Sequence, residues 1–399
     1  MNALEQFSGS AQASDASALQ KVMAVKPHCV GVHRLCDVIT DTEWRIFHAG
    51  PPYRAPLDIP APVLHSAAQA AVFEGWCKDI PEAIVAIRSG QIRTSAAQDH
   101  RLLVPLAGVL SPSMSVLEIA DPDLALPPIY AALNEGPTYA TRLGRLDEGL
   151  TSHLQWLYGV FAPWLAQCFA SPLGLLPLLA QARAQGDDCH ARSTVGSQLI
   201  AAELLQRAPH ASDEVQAFLH ESLAFALNFW MGAAALAASA AEGAPGSSLV
   251  TRAGGNGVEF GIQLAARPGQ WVCGPAPVPR GMLDSVHSAR SAVGALGDSA
   301  VVDFCGLGGQ SLQFAPLVAQ GVSVVLPADA LQRSMCVLAC AAFDIKDGLC
   351  ATSAVRCVEA GVGPLVLIGM IDREGEVGRI GGGLVDVPVA LFERALVSR

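Results

Sequence analysis

The sequence predicts an α+β protein in which two mixed α/β domains flank a small all-helical one. Three observations carry this. A chain of 399 residues is long for a single core. Residues 135–245 show no strand pattern and are dominated by Ala and Leu. On either side of them, short β-type runs alternate with helical ones, with connections too irregular for a βαβ array. The expected boundaries are therefore 1–134 for an N-terminal α+β domain, 135–245 for the helical domain and 246–399 for a C-terminal α+β domain.

In the first segment, a polar, Ala/Ser-rich start of about twenty residues leads to "CVGVHRLCDVI", a β-type run around Cys29–Val32. "WRIFHAGPPY" reads as a strand ending in a turn at Gly50-Pro51-Pro52. "PAPVLHSAAQAAVFEGWC" gives a helix from about Val63, and "IPEAIVAIRSG" a second one with Gly90 just past its end. "LLVPLAGVLSPSMSVLEIAD" holds strand-like runs around Ser111-Pro112-Ser113. In the middle segment, the run from Trp156 to Ala182 is interrupted by Pro163, Pro172 and Pro177, which implies short packed helices. Residues 217–241 are apolar all round, the mark of a fully buried helix, and His220, Glu221 and Asn228 argue against a membrane span. After "GAPGSS", the runs "EFGIQLA" and "QWVCGPA" read as a hairpin. "SAVVDFCGLGG" reads as a strand entering a glycine turn, and "VSVVLPADAL" and "PLVLIGMID" as buried strands.

Composition narrows the function. Apolar residues make up 51% of the chain and mean hydropathy is +0.37, so much of the surface must be buried in the fold or against other subunits. A net charge of −11 leaves no electrostatic footprint for nucleic acid and no basic patch for a membrane. Eleven cysteines, an odd number without CxxC pairs or a secretory leader, read as free thiols in a reducing cytoplasm. No metal-ligand spacing is present. No cofactor is implied, because neither a lysine-bearing phosphate loop nor a complete dinucleotide fingerprint occurs.

The densest chemistry lies in "GDDCHAR", residues 186–192. Two readings are open. In one, His190 moves a proton, Asp187 or Asp188 orients it and Arg192 grips an anion. In the other, one of the aspartates caps a helix and an ion pair lies at the surface. "RAGGNGVEFGI" (252–262) contributes Asn256 and Glu259, either around a hairpin turn or beside a ligand. "GDSAVVDFCGLGGQS" (297–311) contributes Asp298 and Ser299, with Gly306, Gly308 and Gly309 as a possible nest of N–H donors for a small anion. Gly382 belongs to a similar run that is otherwise a tight turn. His100 is a lone imidazole in an apolar setting. Asn134 and Glu135 stand at the junction with the helical segment, where clefts form.

Taken in order, "FHAGPPY", "AAVFEGW", "AGVLSPSMSVLEI", "LNEG", "GDDCHAR", "SSLVTRAGGNGVEFGI", "GDSAVVDFCGLGG", "DALQRSMCV" and "GRIGGGLVDVPVALFERAL" resemble the YlbE/AllG family over about residues 30–395. "AAQDHRLLVPLAG", with His100 alone, departs from the histidine run that the family carries there. The resemblance implies an α+β fold and a subunit of oxamate carbamoyltransferase. That enzyme acts on a small ureido acid and phosphate: oxalurate plus phosphate gives oxamate plus carbamoyl phosphate. It also implies assembly with FdrA-like and other operon-encoded subunits, while the high apolar content fits a homo-oligomer. Such chemistry needs donors aimed at a carbonyl oxygen, cationic or backbone sites for two anions, and a proton for the leaving nitrogen. A noncatalytic scaffold for an FdrA-like partner and a metal-assisted amidohydrolase using Asp187, Asp188 and His190 are the alternatives.

Overall fold

The structure is a computed structural model that describes residues 3–133, 136–339 and 348–397. Among the described residues, four separate sheets and the helices between them make the fold α+β, as the sequence implied. The first sheet has five strands in the order Leu102–Leu103, Ile129–Ala132, Ser115–Ala120, His28–Arg34 and Leu173–Gly174. A small second sheet places Arg45–His48 between Arg93–Ala96 and Val109–Leu110. The third runs Val272–Pro275, Glu259–Leu264, Val250–Asn256 and Leu296–Gly297, and the fourth Arg280–Leu283, Arg379–Asp386 and Leu365–Ile371.

The expected helices form at Ala61–Phe73 and Ile80–Arg88. Asp79 caps the second through the Glu82 N–H, and Gly90 follows it with positive φ. The described part of residues 135–245 is helical apart from Leu173–Gly174, which pairs with His28–Cys29. Helix Ala226–Ser239 is the pivot of the molecule. It packs on the five-stranded sheet, on strand Val250–Asn256 and on the short helix Ala300–Phe304. Phe225 and Phe229 at its start are fully buried, each worth about 1.5–3 kcal/mol of burial. One apolar cluster extends from Ala18 to Ala395 and draws side chains from all three sequence segments. Among the described residues, no single helix is long and apolar enough to cross a membrane.

Three local expectations are corrected. "SAVVDF" is a short buried helix, Ala300–Phe304, because an apolar run buried on all sides fits either period. "VSVVLPADAL" forms turns, from which Val322 and Val325 dock beside Leu365, Leu367 and Leu384 of the fourth sheet. Gly381–Gly383 is no turn but part of strand Arg379–Asp386. A Cβ on Gly281 of the neighbouring strand would lie 2.0 Å from the Gly382 carbonyl oxygen, so the two backbones pass too closely for a side chain.

Candidate active site

The segment "GDDCHAR" is a loop between helices Leu176–Ala184 and Thr194–Arg207, not a helix. Its two acids shape it. The Asp188 carboxylate accepts the N–H groups of Ala191 and Arg192 at 3.0 and 2.7 Å. Those bonds close a turn with Cys189 at a φ of 67°, a conformation that costs a non-glycine residue about 1–3 kcal/mol. Asp187 accepts from the Gly196 N–H at 2.8 Å and so caps the following helix. Its other oxygen lies 3.2 Å from Arg192 Nε. Arg192 is therefore held by Asp187 and does not line the cleft described below. Neither Asp187 nor Asp188 makes the expected hydrogen bond to His190.

His190 pairs instead with Asp303, a residue the sequence reading passed over. Nδ1 lies 2.6 Å from Asp303 Oδ2, and both side chains are buried. The other Asp303 oxygen accepts from the N–H groups of Gly309 at 2.7 Å and Leu367 at 3.1 Å. Gly308 donates to the Asp188 carbonyl at 2.7 Å. Its φ is +53°, and a Cβ there would lie 2.1 Å from Asp303 Oδ1. The glycine run is thus no open nest for a ligand: only Gly309 donates to an anion, the protein's own Asp303 carboxylate, while Gly306 and Gly308 donate to the Asp303 and Asp188 backbone carbonyls. Gly306, Gly308 and Gly309 support the imidazole indirectly. Burial opposes a charged His190, while the charge and hydrogen bond of Asp303 and the charge of Asp188 outweigh it and raise its pKa. Burial lifts Asp188 to about 6. Burial also pushes the Cys189 thiol far up, so it is inert.

His190 lines a cleft of about 670 Å³. Its Nε2 has no hydrogen-bond partner among the described residues. The cleft gathers Arg142, Arg145 and Arg379 from two distant segments, together with Ser299, Asn228 and the backbone of Gly382–Gly383. No Asp or Glu is among its described lining residues. Arg145 is tied to Asp147 at 2.9 Å and to the Thr138 carbonyl. Arg379 is exposed at the start of its strand and makes no ion pair among the described residues. In a chain of net charge −11, this is a local positive basin suited to anions.

The other expected site residues fall elsewhere. Asn256 is buried, donating to the Pro51 carbonyl and accepting from the Val258 and Glu259 N–H groups, so it pins the hairpin turn. Glu259 pairs with Arg54. Asp298 is a buried knot between distant segments. It accepts from Gly50 N–H, Gln98 Nε2 and Val104 N–H, and burial raises it to about 7. His100 stacks edge-on against Phe47 at 5.0 Å, outside the cleft. Asn134 and Glu135 lie outside the described residues. Of the expected residues, the cleft therefore collects His190, Ser299 and Gly382. Among the described residues, no group of three His, Cys, Asp or Glu side chains is placed to hold a metal ion.

Fold and cleft together define an α+β protein in which a buried His–Asp pair borders an arginine-lined cleft. Residues 92–299 match the family "Oxamate carbamoyltransferase subunit AllG". Among curated proteins, the Escherichia coli K12 oxamate carbamoyltransferase subunit AllG is 28% identical, covering 98% of this chain and 97% of its own length. The uncharacterized protein YahG of the same organism is 30% identical, covering 97% of this chain and 85% of its own. A crystal structure of a conserved protein of unknown function from Enterococcus faecalis V583 superposes with a TM-score of 0.89, at 29% identity and 97% coverage of both chains. The chain belongs to the AllG family.

Proposed function

We propose that the chain is the component of a multi-subunit carbamoyltransferase that carries the acid–base cleft, and that the reaction is phosphorolysis of a ureido acid. In that reaction oxalurate and hydrogen phosphate give oxamate and carbamoyl phosphate. The observation that carries the reading is the His190–Asp303 pair at the wall of a cleft with three arginines and no described carboxylate. Its relative from E. coli bears the name of a subunit, which supports assembly with other chains; FdrA-like subunits are the partners we propose. The cytoplasm is the compartment that fits this chemistry.

The steps follow from the groups present. Arg142, Arg145 and Arg379 offset the charge of the substrate carboxylate and of phosphate, which otherwise repel each other. A phosphate oxygen forms a bond to the ureido carbonyl carbon, and the bond from that carbon to the oxamate nitrogen breaks. The proton that hydrogen phosphate loses ends on that nitrogen. His190 relays it: protonated, it gives the Nε2 proton to the leaving nitrogen and recovers one from phosphate. Asp303 fixes the ring and stabilises its charged form.

The test is phosphate-dependent formation of carbamoyl phosphate from oxalurate by the full-length chain, alone and with the products of its neighbouring genes. His190→Ala in the active mixture is expected to lower the rate by about 10²–10⁴-fold. Full activity with His190→Ala would place the active site on a partner and leave this chain as a scaffold.

A further inference from the structure

Two polar side chains of the cleft wall are left without partners by the fold. Asn228 is 1% exposed, its Nδ2 is buried, and its side chain makes no hydrogen bond. Ser299 is also 1% exposed, and its hydroxyl is unpaired. Both line the cleft that contains His190. Buried polar groups are nearly always satisfied in folded proteins, so two orphans on one wall point to a ligand. Whichever way the Asn228 amide is turned, one of its polar atoms is buried without a partner.

Local packing brings the two together. Asn228 stands in the first turn of the fourteen-residue helix Ala226–Ser239, and Ser299 just ahead of helix Ala300–Phe304. The Cys305 thiol donates to the Ala234 carbonyl, and each orphan lies six positions ahead of its own side of that contact. The helices thus run side by side and turn their N-terminal ends to the cleft. The N-terminal turn of the fourteen-residue helix adds partial positive charge without adding a cation.

We propose that Asn228 and Ser299 form a carbamoyl-selecting subsite, distinct from the arginine pole of the same cleft. The proposal rests on the carbamoyl-transfer reading above. The Ser299 hydroxyl and Asn228 Nδ2 donate to the carbonyl oxygen of the transferred group, where negative charge develops when phosphate adds. Asn228 Oδ1 accepts from the terminal amine. A side-chain amide and a carbamoyl group are matched donor for acceptor. An acetyl group offers a methyl where the amine should be and leaves the Asn228 oxygen unpaired.

Calorimetric titration of the full-length chain, alone and assembled with its partner subunits, tests this. The probes are phosphate, oxamate, oxalurate and N-acetyloxamate, in which a methyl replaces the terminal amine of oxalurate. Oxalurate is expected to bind roughly tenfold to a hundredfold tighter than N-acetyloxamate. Asn228→Leu brings that ratio to about one. Asn228→Ala does the same and serves if the larger side chain disturbs folding, with melting temperatures as the check. Ser299→Ala weakens oxalurate and N-acetyloxamate alike and leaves phosphate binding unchanged. A wild-type ratio near one, or a ratio that survives both Asn228 substitutions, overturns the proposal. The carbamoyl-transfer reading survives that result if phosphate and oxamate still bind and lose affinity in Arg379→Gln. If none of the four probes binds, both fall.

Discussion

Replacing Asp303 by Asn separates the charge of this residue from its shape. The Oδ1 atom can still accept from the Gly309 and Leu367 N–H groups. At Oδ2, however, an amide N–H now faces His190 Nδ1 across a 2.6 Å contact that formerly joined a donor to a carboxylate. The imidazole must present a bare Nδ1 and carry its proton on Nε2, and its positive form loses its counter-charge. A charge-assisted hydrogen bond is worth about 1.5–3 kcal/mol, which at 1.36 kcal/mol per pH unit lowers the His190 pKa by about one to two units. As the acid in phosphorolysis, His190 must be protonated. The alkaline limb of the rate profile is therefore expected to move down by about one to two pH units, and the rate at neutral pH to fall by up to about 10–10²-fold. The assay is carbamoyl phosphate formation by the assembled complex between about pH 5 and 9. Stability gives an independent reading. The folded pKa of His190 is raised, so its pairing contributes fully below the ordinary imidazole value of about 6.5 and is lost as pH rises through the folded value. The stability gap between wild type and Asp303→Asn should therefore shrink as the solution is made alkaline. An unmoved limb with a rate within about threefold of wild type would refute the reasoning.

Other expectations follow from the same geometry. Arg379→Gln should weaken phosphate and oxamate binding by at least about tenfold. Because Arg379 makes no ion pair among the described residues, the folding free energy should stay within about 0.5 kcal/mol of wild type by denaturant titration. Asp298 is held near 7 by burial, so the folded chain retains a proton that the unfolded chain releases between about pH 4 and 7, and stability falls as pH rises across that window. Asp298→Asn should flatten that dependence in thermal melts, and parallel curves would exclude the cause. Asp188→Ala removes the two bonds that hold Cys189 at positive φ. Activity should drop with His190 itself intact, and hydrogen exchange at Ala191 and Arg192 should accelerate.

Element types were legible wherever a periodic pattern met a punctuating residue. Helix Ala61–Phe73 follows Pro60, Ile80–Arg88 stands between Asp79 and Gly90, and the strands on either side of Asn256–Val258 meet at a glycine-bearing turn. They were misread where burial on every side erased the period, as in Ala300–Phe304, and where glycine marked close strand packing instead of a turn, as in Gly381–Gly383. Site legibility divided the same way. His190 stood out because its neighbours are reactive. Its true partner, Asp303, lies 113 positions away inside a stretch read as a strand, so no local spacing could announce it. Arg142, Arg145 and Arg379 reach one cleft from separate segments. The only signal for them was negative: a chain with few cations must place those it has with purpose. The acids of "GDDCHAR" were read as reagents, but three of their four oxygens accept backbone N–H groups and the fourth faces Arg192.

The central claim is that one cleft holds both anions against the His190 imidazole. A crystal structure of the full-length chain with oxamate and phosphate, at concentrations that support turnover by the complex, tests it most directly. The account predicts density for both within reach of Arg379 and His190 Nε2. Ligands bound only elsewhere on the chain, with that cleft filled by solvent, would contradict it.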